Sequence, residues 1–121
     1  MTFRRKDRVE DQIKKEVSKI IGHNLKDPRA GFITITSVEL SSDLRFAKIF
    51  FTVLGDEKEK EDSEKALTSA TKFIQQKMAT RIRLKYTPQI VFRYDHTLEQ
   101  ALRIEKILSE IQNEKRKKIR D

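Results

Sequence analysis

The chain has no cysteine, only three glycines and only two histidines among its 121 residues. Without cysteine it can form no disulfide, thiolate metal site or cysteine nucleophile, which fits a reducing, cytoplasmic location. Gly22, Gly31 and Gly55 lie too far apart to build a phosphate-binding loop or a dinucleotide fingerprint. His23 and His96 have no partner at metal-ligand spacing. We therefore predict no metal, no cofactor and no enzymatic activity.

Long apolar runs are also absent. No stretch approaches the roughly 20 apolar residues of a membrane-spanning helix, and no apolar segment follows the basic start MTFRRKD, so we expect neither a membrane partner nor a signal peptide. The composition is polar, with 36% hydrophobic and 38% charged residues, yet apolar residues recur at regular spacings. We predict one domain over residues 1–112, with residues 1–6 as a flexible basic arm, and a basic C-terminal tail over 113–121.

What the chain has in excess is positive charge, +8 in all, and it is unevenly distributed. The stretch 56–65, DEKEKEDSEK, is rich in acids, whereas residues 72–85 contain none. Segregated positive charge indicates a polyanionic partner, with nucleic acid ahead of an anionic membrane surface. The basic clusters are Arg4, Arg5, Lys6 and Arg8; Lys72, Lys77, Arg81, Arg83 and Lys85; and Lys115, Arg116, Lys117, Lys118 and Arg120.

Hydrophobic periodicity predicts the order helix, strand, strand, long bent helix, strand, helix. Apolar residues at helical spacing predict a first helix from Asp7, with Asp7 and Glu10 as a capping box. Two β-rich stretches, 31–40 and 45–54, flank a turn and predict a hairpin. A helix over about 59–84 then leads to a strand over 89–94, with Asp56 able to cap its start. This order indicates an α+β fold with a mixed three-stranded sheet and helices on one face.

Three local features sharpen that prediction. In the first strand Ile33 and Ile35 share one parity while Val38 and Leu40 share the other, so we expect a β-bulge at 36–37. The small and β-branched residues at 70–72 are the expected site of a bend in the long helix. The sequence Thr97-Leu98-Glu99-Gln100 predicts a second capping box at the start of the last helix, and Leu98, Leu102, Ile104, Ile107, Leu108 and Ile111 are its apolar side.

The stretch KDPRAGF, residues 26–32, has the composition of a turn. Asp27 and Asp43 both lie at turns, where aspartate caps backbone N–H groups far more often than it catalyses. Gly31 is expected to supply a positive φ ahead of the strand. Arg29 points outward and is a candidate phosphate contact.

Two longer blocks carry a resemblance. KDPRAGFITITSVELSSDLRFAKIFFTVLG and IRLKYTPQIVFRYDHTLEQALRIEKIL, in this order and spacing, are similar to the two halves of the ribosome-binding factor A family. The resemblance runs from about residue 8 to residue 111. It implies a type II KH-like fold, which agrees with the predicted element order.

The same resemblance implies a non-enzymatic factor that binds the 30S subunit and its 16S rRNA, aids late rRNA processing and subunit maturation, and matters most in the cold. It implies a cytoplasmic protein with no DNA partner, and we expect a monomer. The family replaces the Gly-x-x-Gly loop of KH domains with an Ala-x-Gly kink in the long helix. Here the matching residues are Ala70, Thr71 and Lys72, so lysine stands in place of glycine, and a milder bend or one continuous helix is expected.

RNA contacts are predicted at the basic clusters, and ordinary solvated helix faces are the alternative for each residue. The predicted RNA-binding residues are Lys72, Lys77, Arg81, Arg83, Lys85, Arg4, Arg5, Lys6, Arg8 and Arg29. Base stacking on the uncovered sheet face, at Phe46, Phe50 and Val91, is a lesser possibility beside partial burial. Two other functions stay open: a generic binder of single-stranded RNA or RNA chaperone, and an interaction protein that docks acidic partners.

Overall fold

A computed structural model describes residues 5–24 and 29–120, with no side-chain detail at 23, 24, 119 and 120. The elements follow in the order α1 (Arg5–Asn24), β1 (Phe32–Leu40), β2 (Phe46–Leu54), α2 (Glu57–Arg81), β3 (Gln89–Tyr94) and α3 (Thr97–Arg120). The strands form one sheet in the order β1-β2-β3. Strand β1 is antiparallel to β2 and β3 is parallel to it, so the predicted α+β fold with a mixed sheet is confirmed.

The two faces of the sheet differ because side chains alternate along each strand. On β2 the core face carries Ala47, Ile49, Phe51 and Val53, all buried. Helices α1 and α2 cover this face, and their apolar stripes complete a single core. The opposite face is uncovered and exposes Phe46 and Val91, as predicted, with Phe50 half-buried.

The predicted β-bulge is confirmed. Ile35 pairs with Phe51 and Ser37 pairs with Phe50, so Thr36 is the extra residue in β1. The inserted residue switches the parity of the strand, which lets Ile35 and Leu40 both point into the core. Thr36 itself donates from Oγ1 to Asp95 Oδ2 over 2.6 Å, which ties the bulge to the end of β3.

Two predicted capping boxes are wrong because neighbouring elements take the side chains. Helix α1 begins at Arg5, before Asp7, and Glu10 instead accepts a hydrogen bond from the backbone N–H of Leu40 at 2.8 Å. Thr97 is the first residue of α3, and its N–H donates to Asp95 Oδ1 at 2.9 Å. Helix α2 does have a capping box, formed by the predicted cap Asp56 together with Glu59.

The opening turn differs from prediction at its glycine. Gly31 has no positive φ; among the described residues that region is adopted by Leu44 (61°) and Gly55 (156°). Gly31 lies in a close approach to α2 instead. Its N–H donates to the buried Ser63 Oγ at 3.1 Å, and an added Cβ would lie 3.2 Å from that oxygen. Asp27 and Pro28 lie outside the described residues.

Helix α3 is the exception to the packing pattern. Every described side chain from 97 to 118 is exposed, including the apolar ones that the sequence grouped on one side. The helix is held at its start, where Lys60 Nζ lies 3.1 Å from Glu99 Oε1 and His96 Nδ1 lies 3.2 Å from Glu99 Oε2. Both contacts lower the pKa of Glu99, and the contact with His96 has a larger effect than the contact with Lys60. The helix crosses the boundary predicted at residue 112, so residues 115–118 continue the same helix.

Candidate nucleic-acid interface

Helix α2 carries opposite charges at its two ends. The first turn contains Glu57 and Glu59, and the last turn contains Arg81. Acids near a helix N-terminus and cations near its C-terminus complement the helix dipole, so part of the segregation seen in the sequence stabilises the helix itself. The rest of this segregated positive charge forms an acid-free basic stretch over 72–85, on the second half of α2 and the segment after it.

The structure does not place the three predicted RNA-contacting cations of α2 on one face. Lys72 lines a groove between α2 and β3, whereas Arg81 points to α1, where Nη1 lies 3.4 Å from Glu16 Oε2. Lys77 lies between them, with Nζ 5.9 Å from the centre of the Phe73 ring. The buried residues Ile74 and Met78 occupy the side of the helix that separates these directions. A polyanion that follows one face of the helix would therefore meet Lys77 and Arg81 together, but not Lys72.

The groove beside Lys72 has a volume of about 510 Å³. Most of its lining side chains are polar, and they lie on α2, on the start of β3 and on the segment before it, which suits an extended polar ligand. In addition to Lys72 it is lined by Gln75, Gln76, Ala79, Thr87, Gln89 and Ile90. Gln75 is already partly engaged, since Oε1 accepts a long hydrogen bond of 3.4 Å from the Ile90 N–H.

Helix α2 continues without a break through Ala70, Thr71 and Lys72, so the continuous helix allowed for by the sequence is the form observed. Thr71 Oγ1 donates to the Leu67 carbonyl one turn back, at 2.9 Å. Lys72 thus keeps the helical conformation, and its exposed side chain adds a cation to the rim of the groove.

A second concave site lies at the end of the domain where β2 and β3 begin, with a volume of about 300 Å³. The predicted residues Arg5 and Lys85 reach it from α1 and from the segment between α2 and β3. The structure adds Arg45 and Tyr86, which the sequence analysis missed. The sequence marks these two residues only weakly, because Arg45 directly follows the hairpin turn and Tyr86 directly follows the basic stretch.

Arg29 is separated from the other predicted contacts. Its Nη2 donates to Ser69 Oγ at 3.1 Å, and it lines a shallow pocket together with Glu61 and Glu64, on the acidic half of α2. Lys65 also lines this pocket, so Arg29 stays a predicted phosphate contact in surroundings of mixed charge. Arg8 is exposed on α1 and Lys6 is half-buried there, whereas Arg4 lies outside the described residues.

The described residues offer little to acid–base or metal chemistry. Within 5–24 and 29–120 no group of three His, Asp or Glu side chains is arranged to hold a metal ion. Asp43 is occupied in its turn, where it accepts from Ser41 Oγ at 2.6 Å and from the Arg45 N–H at 3.2 Å, and these bonds lower its pKa. No described helix is both long and apolar enough to cross a membrane. Fold and site together define a basic α+β domain with two concave, cation-lined surfaces.

Comparison with known proteins identifies the family. Residues 5–108 match the family model described as ribosome-binding factor A, and the chain belongs to that family. It is 46% identical over 111 residues to ribosome-binding factor A of Staphylococcus carnosus, an alignment that covers 92% of this chain and 96% of the relative.

Solved structures agree with the fold. The crystal structure of ribosome-binding factor A from Thermus thermophilus is similar with a TM-score of 0.66 and 27% identity, over 74% of this chain and 94% of that one. A homology model of the Thermus thermophilus factor, fitted into a cryo-electron microscopy map of a 30S complex, is similar with a TM-score of 0.63 and 26% identity, over 74% of this chain and 93% of that one.

Proposed function

We propose that this protein binds the small ribosomal subunit through its 16S rRNA and acts there as a non-enzymatic assembly factor. The observation that carries the proposal is family membership, together with a relative fitted into the map of a 30S complex. The acid-free basic stretch 72–85 supplies a surface suited to phosphates. We include in the proposal a role in late rRNA processing that is largest in the cold, a cytoplasmic location and a monomeric state.

Binding follows from charge. Lys72, Lys77, Arg83 and Lys85 are exposed and form no ion pair with a described carboxylate, so bound phosphates meet little competition there. Arg81 has a competitor in Glu16, which RNA binding must displace. If about five cations are neutralised by phosphates, log affinity falls with log salt at a slope of roughly −3.5 to −4.5.

The test is co-sedimentation of the tagged protein with cell extract at low and moderate salt, comparing the wild type with the triple variant Arg81→Glu, Arg83→Glu, Lys85→Glu. We expect salt-sensitive migration of the wild type with free small subunits, and loss of it in the variant. A matched control, Lys58→Glu, Lys65→Glu, Lys106→Glu, makes the same change in charge at exposed sites outside the basic stretch, and should keep most of the binding.

The outcomes separate the competing functions. Even spreading over all RNA-containing fractions would favour a generic single-stranded RNA binder or RNA chaperone and would refute the subunit-specific proposal. Absence of RNA-dependent migration would favour a protein that docks acidic partners. Equal loss in both charge variants would show that net charge alone, not the stretch 72–85, determines binding.

A further inference from the structure

The 300 Å³ site at the start of β2 and β3, called here the Tyr86 pocket, combines charged side chains with aromatic and aliphatic ones. Its lining consists of three cations, Arg5, Arg45 and Lys85, one carboxylate, Asp43, the Tyr86 ring, and two leucines, Leu44 and Leu84. The ring of Tyr86 is well exposed, at 59%. A phosphate-binding surface needs only the cations. The aromatic and aliphatic wall beside them suits a planar apolar group.

Two cations of the pocket lie near the Tyr86 ring and are not paired with a described carboxylate. The Arg45 guanidinium lies 5.5 Å and the Lys85 ammonium 5.6 Å from the centre of the Tyr86 ring, within the range of cation–π attraction. Among the described residues no carboxylate forms an ion pair with either of them or with Arg5. Asp43 also lines the pocket; it accepts hydrogen bonds from Ser41 Oγ and the Arg45 N–H, and its charge interacts with that of Arg45, so the pocket holds one carboxylate against three cations. The pocket therefore keeps a net positive charge.

The backbone around the pocket is fixed by hydrogen bonds. The Leu44 N–H donates to the Ser41 carbonyl at 2.9 Å, which closes the hairpin turn with Leu44 at a φ of 61°. On the other side the Gln89 N–H donates to the Arg45 carbonyl at 2.8 Å, and Pro88 next to it is fully buried. Because both walls are anchored to the sheet, the pocket is formed before any ligand arrives, which limits the ordering cost of binding.

We infer that the Tyr86 pocket binds one unpaired nucleotide of RNA, with the base stacked on the Tyr86 ring and the adjoining phosphates on Arg5, Arg45 and Lys85. The flexible Lys85 ammonium leaves the ring to make room for the base and moves to a phosphate. Proteins recognise single-stranded RNA through this combination of an aromatic platform and cations, and a volume of about 300 Å³ is near the lower limit of small-ligand pockets. The inference rests on the proposed binding of rRNA and adds to it a preference for an unstacked base.

The chain contains no tryptophan, so the variant Tyr86→Trp places a single fluorescent reporter in the pocket. The full-length variant would be titrated with a ten-nucleotide single-stranded oligoadenylate, with an RNA duplex of the same length and with inorganic phosphate. We expect saturable quenching of the tryptophan fluorescence by the single strand. The duplex and phosphate should quench it little, because the bases of the duplex are paired and phosphate has no base. Equal quenching by the duplex, or none by a single strand that a mobility-shift assay shows to be bound, would overturn the inference.

Affinity measurements give an independent test. Tyr86→Ala should weaken binding of the single strand roughly tenfold, whereas Tyr86→Phe, which keeps the ring, should stay within roughly two- to threefold of the wild type. The matched control is Phe32→Ala, which removes a 78% exposed aromatic ring at the opposite end of the sheet. A thermal melt confirms that each variant is folded.

Failure of this inference is distinguishable from failure of the proposed function. If the wild type binds small subunits and Tyr86→Ala binds them and the single strand equally well, the pocket inference is wrong and the proposed function stands. If the wild type does not bind small subunits but Tyr86→Ala still loses single-strand affinity, the pocket is supported while the ribosomal proposal fails.

Discussion

Helices α1 and α3 are both amphipathic, with 20 and 24 residues, yet the structure treats them in opposite ways. The apolar stripe of α1 is almost completely buried, with Ile13, Val17 and Ile20 at 0% exposure. The apolar residues of α3 stay exposed, Leu102 at 56% and Ile107 at 49%. An apolar stripe thus shows which face of a helix can be buried, but not whether the domain has a surface left to bury it.

The sheet explains why α3 has no such surface. Three strands roughly 4.8 Å apart make a face about as wide as two helices packed side by side at 8–10 Å. Helices α1 and α2 come before α3 in the chain, and they already cover this face and contact each other. Helix α3 begins beyond β3 and extends from the edge of the core, held there by Asp95, Glu99 and Lys60.

The largest expected effect comes from deleting the same side chain in the two helices. Ile13→Ala should lower the free energy of unfolding by roughly 2–5 kcal/mol, because it leaves a cavity in a close-packed core. Ile107→Ala should change it by no more than roughly 0.5 kcal/mol. Urea denaturation measures both. A comparable loss of unfolding free energy from Ile107→Ala would show that α3 is packed in solution. The two helices would then not differ as the structure indicates.

A smaller effect is expected at the junction where α3 leaves the core. Hydrogen bonds from Thr36, which has the largest effect, and from Thr97 lower the pKa of Asp95. The Asp95 carboxylate therefore binds a proton more readily in the unfolded chain than in the folded protein. The stabilisation is therefore present above about pH 4 and is lost as the pH falls through the lower pKa of the folded protein. Thr36→Val should cost about 1 kcal/mol or less at pH 7, since the pair is only partly buried.

Denaturation of Thr36→Val and the wild type at a series of pH values measures this effect, and the difference between them should shrink below about pH 4. The control is Thr34→Val, an exposed threonine on the same strand. A difference that is constant with pH would mean that the Thr36 hydroxyl acts on packing and not on the Asp95 carboxylate.

The smallest effect on stability, and a distinct effect on binding, is expected from removing residues 113–121. Because α3 is exposed, the free energy of unfolding should change by less than roughly 0.5 kcal/mol. The deletion removes the cations Lys115, Arg116, Lys117, Lys118 and Arg120. The salt dependence of subunit binding should become shallower by roughly 0.7–0.9 for each cation that contacts a phosphate. An unchanged slope would show that this end of α3 does not touch RNA.

Much of the fold could be predicted from local patterns. The β-bulge followed from the change of parity in β1, because a strand with one buried face cannot bury both Ile35 and Leu40 without an extra residue. Helix caps were less predictable. Glu10 fits the capping pattern but bonds to the Leu40 N–H, a partner distant in the chain that leaves no mark in the local sequence. Thr97 also fits it, but its N–H donates to Asp95, two residues earlier.

The candidate site was predictable in composition and not in arrangement. The sequence showed an acid-free basic stretch, but only the helix geometry puts Lys72 and Arg81 on opposite sides of the buried stripe. Arg29, which the sequence grouped with the RNA contacts, lies next to Glu61 and Glu64, since Gly31 bonds to Ser63 and brings this segment against the acidic half of α2.

The sequence by itself determined the class of fold, the apolar faces of the helices and strands, and where positive charge is concentrated along the chain. These depend on spacing along the chain, which residue types fix directly. The tertiary structure alone decided that α3 stays uncovered, and that Arg45 and Tyr86 meet Arg5 and Lys85 in one pocket. These residues lie on segments far apart in the chain, and only the packing of the whole domain brings them together.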